Sequence, residues 1–435
     1  SHKPKCIKQS SIFCLQVTQT MLWCLQLHLE LSEFERICSL FLMYFPIFVF
    51  FPPLSFTCLF LPHVLIFLHF WINMQLMLIN SILCIAVLHF YKILFFLKII
   101  ILFFPDKFNR MSDELILSVF RWLPKFMLAR CAQVNRRWKR LAFDETLWRR
   151  LDLGGKTLKP GVVGRVILRG SSVLRLAKAE VGSPIFSPQL HYLPSLPPVR
   201  SKLQHLDLSM AAIDPQALEE LLSVCFDLKK LSLEHCILSQ SICSHIANNQ
   251  KLETLNLAMC YGLCHAYLVN ILSHCKRLQS LNLAWTGLCT EDLRMICRRF
   301  PASLERLNLS GCRSTLSDTH VRLLAEQSPG LVELDISDGT HLTATAVSAI
   351  IHELRHIEYL AFSRCYTIQP DAYLELKSMP NLLYLDVYGI LNESAMSTLK
   401  QSLPHIQINK YLFSSVARPT VGIRRTSIWG LRVRD

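Results

Sequence analysis

The stretch LQSLNLAWTGLCTEDLRMICRRFPASLERLNLSGC, residues 278–312, opens and nearly closes on the same six-residue pattern, Leu-x-x-Leu-x-Leu. Its leucines alternate with period two, so one face of a short strand is apolar. The pattern recurs with its first apolar residue at Leu203, Leu228, Leu252, Leu278, Leu304, Leu331, Ile357, Leu382 and Ile406, at spacings of 24 to 27 residues. An apolar stretch of helical period follows each strand, as in ALEELLSV (217–224) and AYLVNILSHC (266–275). Leucines that merely marked amphipathic helices would not show both periods in turn.

A strand–helix unit of this size cannot bury its apolar face alone, and a period of 20–29 residues is that of leucine-rich repeats. The units are expected to stack into an α/β solenoid, a horseshoe with parallel strands on the concave side and helices on the convex side. Cys236, Cys260, Cys312 and Cys365 share one phase of the repeat, where a small buried hydrophobe suffices. Strand alternation predicts that the residue between the last two leucines faces solvent: Asp207, Asn256, Asn282, Asn308, Asp335 and Asp386. Further along, at the rim, come Trp285, Gly311, Asp338, Arg364 and Gly389, with Arg313 just beyond Cys312. An aromatic beside arginines and an aspartate is the composition of binding hot spots, and guanidinium forks suit carboxylate or phosphate.

Upstream, LDLGGKTL from Leu151 and VLRL from Val173 read as irregular repeats, followed by a proline-rich insertion near 183–198. Before them, Leu115, Val119, Phe120 and Leu123 form one helical apolar stripe, with Ser112 as cap and Asp113 and Glu114 in the first turn. Pro124 ends it, and a second helical stretch carries Leu128, Val134, Trp138 and Leu141 before the turn at Asp144 and the closing Trp148. So small a helical core buries little, and its exposed aromatics should seek a partner.

MSDELILSVFRWL and VNRRWKRLAFDETLW, in that order and spacing, resemble the F-box family. The resemblance implies docking on a Skp-type adaptor, and through it a cullin-RING scaffold, by an apolar helical face made of Leu115, Val119, Phe120, Leu123, Leu128, Val134, Trp138 and Trp148. An F-box followed by cysteine-type repeats is similar to the F-box/leucine-rich-repeat class of ubiquitin-ligase receptors. The tail, HIQINKYLFSSVARPTVGIRRTSIWGLRV (405–433), together with LNLAW, LDISD and SRCYTI, resembles the S-phase-kinase-associated branch of that class. That resemblance implies a tail folded back on the concave face. It also implies a surface of Trp285, Arg313, Asp338, Arg364 and Tyr366 shared by a cyclin-kinase-subunit accessory protein and a phosphorylated cyclin-dependent-kinase inhibitor. A histidine usual in the branch's tail reads Leu412 here. The role implied is a non-catalytic substrate receptor of a Skp-cullin-F-box ligase, acting in cell-cycle protein degradation in nucleus and cytoplasm.

The expected organisation is therefore an apolar segment over 1–105, an F-box over 106–153, linking repeats over 154–202, the repeat array over 203–408 and the tail over 409–435. Of the net charge of +14, residues 1–105 carry +3, leaving +11 for the rest. No run of five or six Lys/Arg occurs, which argues against nucleic-acid binding. Cys260, Cys264, His265, His274 and Cys275 lack paired Cys-x-x-Cys spacing, so no metal is expected, nor any other cofactor. No phosphate-cradling glycine loop or framed Ser-His-Asp order points to an enzyme.

Between Arg36 and Lys92 no charged residue occurs. Two membrane passes would fit, near Ile37–Phe56 and Ser81–Phe104. The alternative, weighed above it because the chain opens on Ser1 and is Phe/Leu/Ile-rich, is translated noncoding sequence. If the passes are real, a membrane-tethered repeat scaffold with no ubiquitin-ligase role is the competing function.

Overall fold

The structure is a computed structural model that describes residues 107–186, 200–420 and 427–433. The chain divides into two compact units, 1–105 and 106–435. The membrane passes expected in the first, and most of the proline-rich insertion, lie outside the described residues. Among the described residues no helix is long and apolar enough to cross a membrane.

Four short helices come first: α1 (Asp113–Phe120), α2 (Lys125–Cys131), α3 (Arg136–Ala142) and α4 (Glu145–Trp148). The single second helical stretch expected from sequence is in fact two helices. Asn135 divides them, leaving helical φ and ψ and accepting the Trp138 N–H at 2.7 Å as an N-cap. Ser112 and Asp144 cap α1 and α4 in the same way.

Eleven strands then form one parallel sheet in chain order: β1 (Arg150–Asp152), β2 (Val173–Arg175), β3 (His205–Asp207), β4 (Lys230–Ser232), β5 (Thr254–Asn256), β6 (Ser280–Asn282), β7 (Arg306–Asn308), β8 (Glu333–Asp335), β9 (Tyr359–Ala361), β10 (Tyr384–Asp386) and β11 (Gln407–Ile408). The pairing is in strict register, with the middle residues Leu281, Leu307, Leu334, Leu360 and Leu385 stacked on one another. The irregular segments at Leu151 and Val173 join the same sheet as its first two strands. Helices return the chain between strands, for example α5 (His265–His274) and α6 (Thr290–Cys297). Strands stack at about 4.8 Å while packed helices need about 10 Å, so an all-parallel stack of such units must bend with its strands inside.

The leucine ladder and the cysteines of the repeat form one continuous core with Ile116, Phe120, Leu128 and Trp148 of the helical module. The module is thus welded to the solenoid through apolar packing. Cys236, Cys260, Cys312 and Cys365 are all buried there as free thiols, their pKa pushed up by burial, to about 12 in Cys236. Cys260 and Cys275 face main-chain carbonyls, and His265 pairs with Asp292 at 2.7 Å.

The polar ladder corrects the sequence expectation. Asp207, Asn256, Asn282, Asn308, Asp335 and Asp386 lie on the concave side yet are buried, not solvated. The first five each turn a side-chain oxygen onto the main-chain N–H two residues on, at 2.8–3.1 Å, closing the turn that ends the strand. Asn256 also bonds Ser232, and Asn308 bonds Asp335, so the ladder ties neighbouring repeats.

Candidate protein-interaction site

The helical module has an inside and an outside. Ile116 and Phe120, four apart on α1, point inward with Leu128, Leu141, Leu147 and Trp148. Trp138 packs its ring edge-on against Phe108 and Phe120, at 5.1 and 5.4 Å between centroids. Trp148 donates its indole N–H to the Ala142 carbonyl at 2.8 Å. Arg137, next to Trp138 in the chain, holds Asp113 at 2.8 Å and the Phe108 and Met111 carbonyls, so it pins the start of α1 onto α3. Arg140 grips the same carboxylate.

Eight residues were expected on a docking face, and the structure separates them. Phe120, Leu128 and Trp148 are corrected to core positions: they are buried by the chain itself and have no surface to offer. Val119, Leu123 and Trp138 are half-buried. Leu115 (54% exposed) and Val134 (61%) remain outside, together with two residues the sequence reading missed, Trp122 (81%) and Phe126 (62%). Leu115 lies one place off the Ile116–Phe120 stripe of α1, whereas Trp122 falls in the turn before Pro124 and Phe126 in α2, so no single helical period links the three.

At the other end, the residue three places after the ladder position adopts left-handed backbone in every repeat, including Trp285 (φ 58°), Gly311 (φ 82°), Asp338 (φ 62°) and Arg364 (φ 60°). These four stand in one row, each donating its N–H to the next turn: Trp285 to Ser310, Gly311 to Ser337, Asp338 to Ser363 and Arg364 to Tyr388, at 2.8–3.0 Å. Side chains in αL cost roughly 1 kcal/mol more than glycine, so a tryptophan, an aspartate and an arginine there are held by their neighbours. Trp285 lies across Gly311, where a Cβ would come within 2.4 Å of the indole, and Arg313 covers the ring at 5.1 Å. Arg364 grips Asp338 through two hydrogen bonds, at 2.8 and 2.5 Å. The buried Asp338 carboxylate raises the pKa of Arg364, whose side chain is about half exposed. Tyr366 stands beside Arg364, exposed. The five expected rim residues thus form two sets on adjoining repeats, Trp285–Arg313 and Asp338–Arg364–Tyr366, with Trp285 and Arg364 three strand spacings apart along the row, roughly 14 Å.

The tail lines the concave side. Tyr411 sits 6.2 Å from Tyr359 and 5.3 Å from Tyr384, Asn282 donates to the Val416 carbonyl at 3.1 Å, and Ile428 and Val433 pack on Val173. Tyr359 donates to Asp386 at 2.8 Å, and burial raises the pKa of both Asp335 and Asp386. Leu412 and Phe413 are left exposed.

Two family models match: one described as the SKP2 LRR domain over residues 161–435, and one described as F-box-like over 113–154. The chain belongs to the F-box/leucine-rich-repeat family. This F-box/leucine-rich-repeat protein is 29% identical over 220 residues to the human F-box/LRR-repeat protein 12, covering 48% of the chain and 65% of the relative. It is 27% identical to the mouse F-box/LRR-repeat protein 12 over 68% of the chain and 93% of the relative. Among solved structures it is similar to a chain of the yeast Rad7 and Elc1 complex, with a TM-score of 0.39 and 15% identity, over 74% of this chain and 97% of that one.

Proposed function

We propose that this F-box/leucine-rich-repeat protein is the substrate-recognition subunit of a Skp-cullin-F-box ubiquitin ligase. The observation that carries it is the split of the helical module. Its core is closed by its own chain, yet Leu115, Trp122, Phe126 and Val134 stay bare on an outer face. Large exposed apolar groups of this kind are a docking signature. A Skp-type adaptor would cover them and join the chain to a cullin-RING scaffold.

The rim supports the second half. Arg313, stacked on Trp285, and the half-exposed Arg364, held by Asp338, place two guanidinium groups along the rim, which suits a phosphorylated target. By family likeness that target is a phosphorylated cell-cycle regulator such as a cyclin-dependent-kinase inhibitor, held together with a cyclin-kinase-subunit accessory protein. The chain would do no chemistry. It would hold a target lysine near a ubiquitin-charged enzyme and raise its effective concentration. Work in both nucleus and cytoplasm follows from the same likeness.

Copurification of the chain with a Skp-type adaptor and a cullin is the expected result. A monomer that ignores the adaptor would overturn the assignment. Target peptides should be retained only when phosphorylated, and equal retention of both forms removes the role given to the rim.

A further inference from the structure

A cleft of about 370 Å³ opens where the helical module, the first strand and the tail meet, lined by Phe120, Arg121, Lys125, Thr146, Leu147, Arg149, Arg150 and Arg432. Five of these are cationic and none is acidic. They come from three separate parts of the chain: the α1–α2 turn, the α4–β1 junction and the hairpin Ser427–Ile428/Leu431–Arg432. Among the described residues, the acidic neighbours in sequence are engaged elsewhere, Asp144 as the cap of α4. Glu145 binds Lys202 at 2.9 Å, and Asp152 binds Arg175 at 3.0 Å. Lys125 reaches the Leu147 carbonyl and lies over the Trp148 ring, which fixes its ammonium in the cleft wall. Arg149, Arg150 and Arg432 are exposed, and no ion pair engages them among the described residues.

Arg149, Arg150 and Arg432 bring like charges together, and a bound anion would offset their repulsion. We propose that this cleft binds a small anion bearing two or more phosphoryl groups. Three guanidinium planes can each take a phosphoryl edge through paired hydrogen bonds, and Lys125 supplies a point charge. Cations contributed by three separate parts of the chain suit an anion with more than one phosphoryl group. The positive field extends to the neighbouring strands: His205 on β3 is held neutral, its pKa lowered to about 4 by burial and then by Lys230, Lys229 and Arg150. The site is distinct from both faces assigned above and does not depend on the ligase role. A bound anion would tie the tail hairpin to the helical module.

Calorimetric titration of the full chain in mild detergent, with sodium tripolyphosphate, orthophosphate and sulfate as probes, tests this. Tripolyphosphate should bind at least about tenfold more tightly than the other two, and less tightly as salt rises. The double variant Arg150→Gln/Arg432→Gln should weaken tripolyphosphate by about tenfold or more, while Arg277→Gln, outside the cleft, changes it less than about twofold. Equal weakening by Arg277→Gln would show diffuse attraction and overturn the site, as would unchanged binding in the double variant or equal affinity for orthophosphate. Without anion the double variant should unfold at the same temperature as the parent or higher, because repulsion is relieved. A lower midpoint would mean that these arginines serve the fold, and would sink the proposal.

Discussion

Gly311→Ala probes the rim without removing any rim side chain. The new methyl would stand 2.4–2.7 Å from three atoms of the Trp285 indole, whereas carbon atoms pack at about 3.5–4.0 Å. The ring must therefore shift by about 1 Å. Backbone at φ 82° costs alanine roughly 1 kcal/mol relative to glycine. Moving the indole from under Arg313 forfeits a cation–π contact of about 0.5–1 kcal/mol at this partly exposed site, with some packing besides. The total is about 1.5–2.5 kcal/mol, or a melting point lower by roughly 2–4 °C for a unit of this size. In a Trp285→Ala background only the backbone share should remain, leaving a coupling of about 0.5–1.5 kcal/mol between the two sites. Thermal unfolding of the four members of the cycle measures this, with indole fluorescence reporting the ring's displacement. If Gly311→Ala costs the same with and without the tryptophan, the indole does not rest on Gly311 and the derived rim geometry is wrong.

Trp285→Ala should weaken target or accessory binding by roughly 2 kcal/mol while adaptor binding stays as in the parent, read by paired titrations; equal loss of both would indicate misfolding. Trp122→Ala/Phe126→Ala should abolish adaptor copurification with little change in melting point, since both side chains are bare, whereas Phe120→Ala should cost about 3–5 kcal/mol of stability through the cavity it leaves. Asn282→Ala removes the acceptor for the Ala284 N–H and the donor to Val416, so about 2–4 kcal/mol is expected, with faster protease cleavage of the tail than in the parent. His205 titrates near 4 when folded and near 6.5 when unfolded, so the unfolded chain binds more protons between those values. Its contribution is complete above about pH 6.5 and lost on acidification toward pH 4; discounted for partial exposure it is about 1–2 kcal/mol. Denaturant midpoints of parent and His205→Gln should converge over that window, and parallel curves would rule the histidine out.

The repeat, its period and phase, and the order of module, array and tail can all be read from residue pattern alone. Two periodicities written in leucines survive any rearrangement of neighbours, because each leucine meets the same residue of the next unit at Leu281, Leu307 and Leu334. The order of motifs around Arg137 and Trp138 was equally legible, since those side chains hold the module together through short-range contacts. Which apolar and polar groups reach a surface depends instead on how the elements pack. Phe120 and Leu115 look alike in a stripe, but Trp138 of α3 packs on the buried one while the other stays bare. Asn282 and Asn308 alternate as exposed residues should, yet the turns they cap, their neighbouring repeats and the tail enclose them. The cationic cleft was invisible because Lys125, Arg150 and Arg432 are strangers in sequence. Exposure and convergence depend on what packs alongside, and that is set by contacts between distant parts of the chain rather than by local pattern.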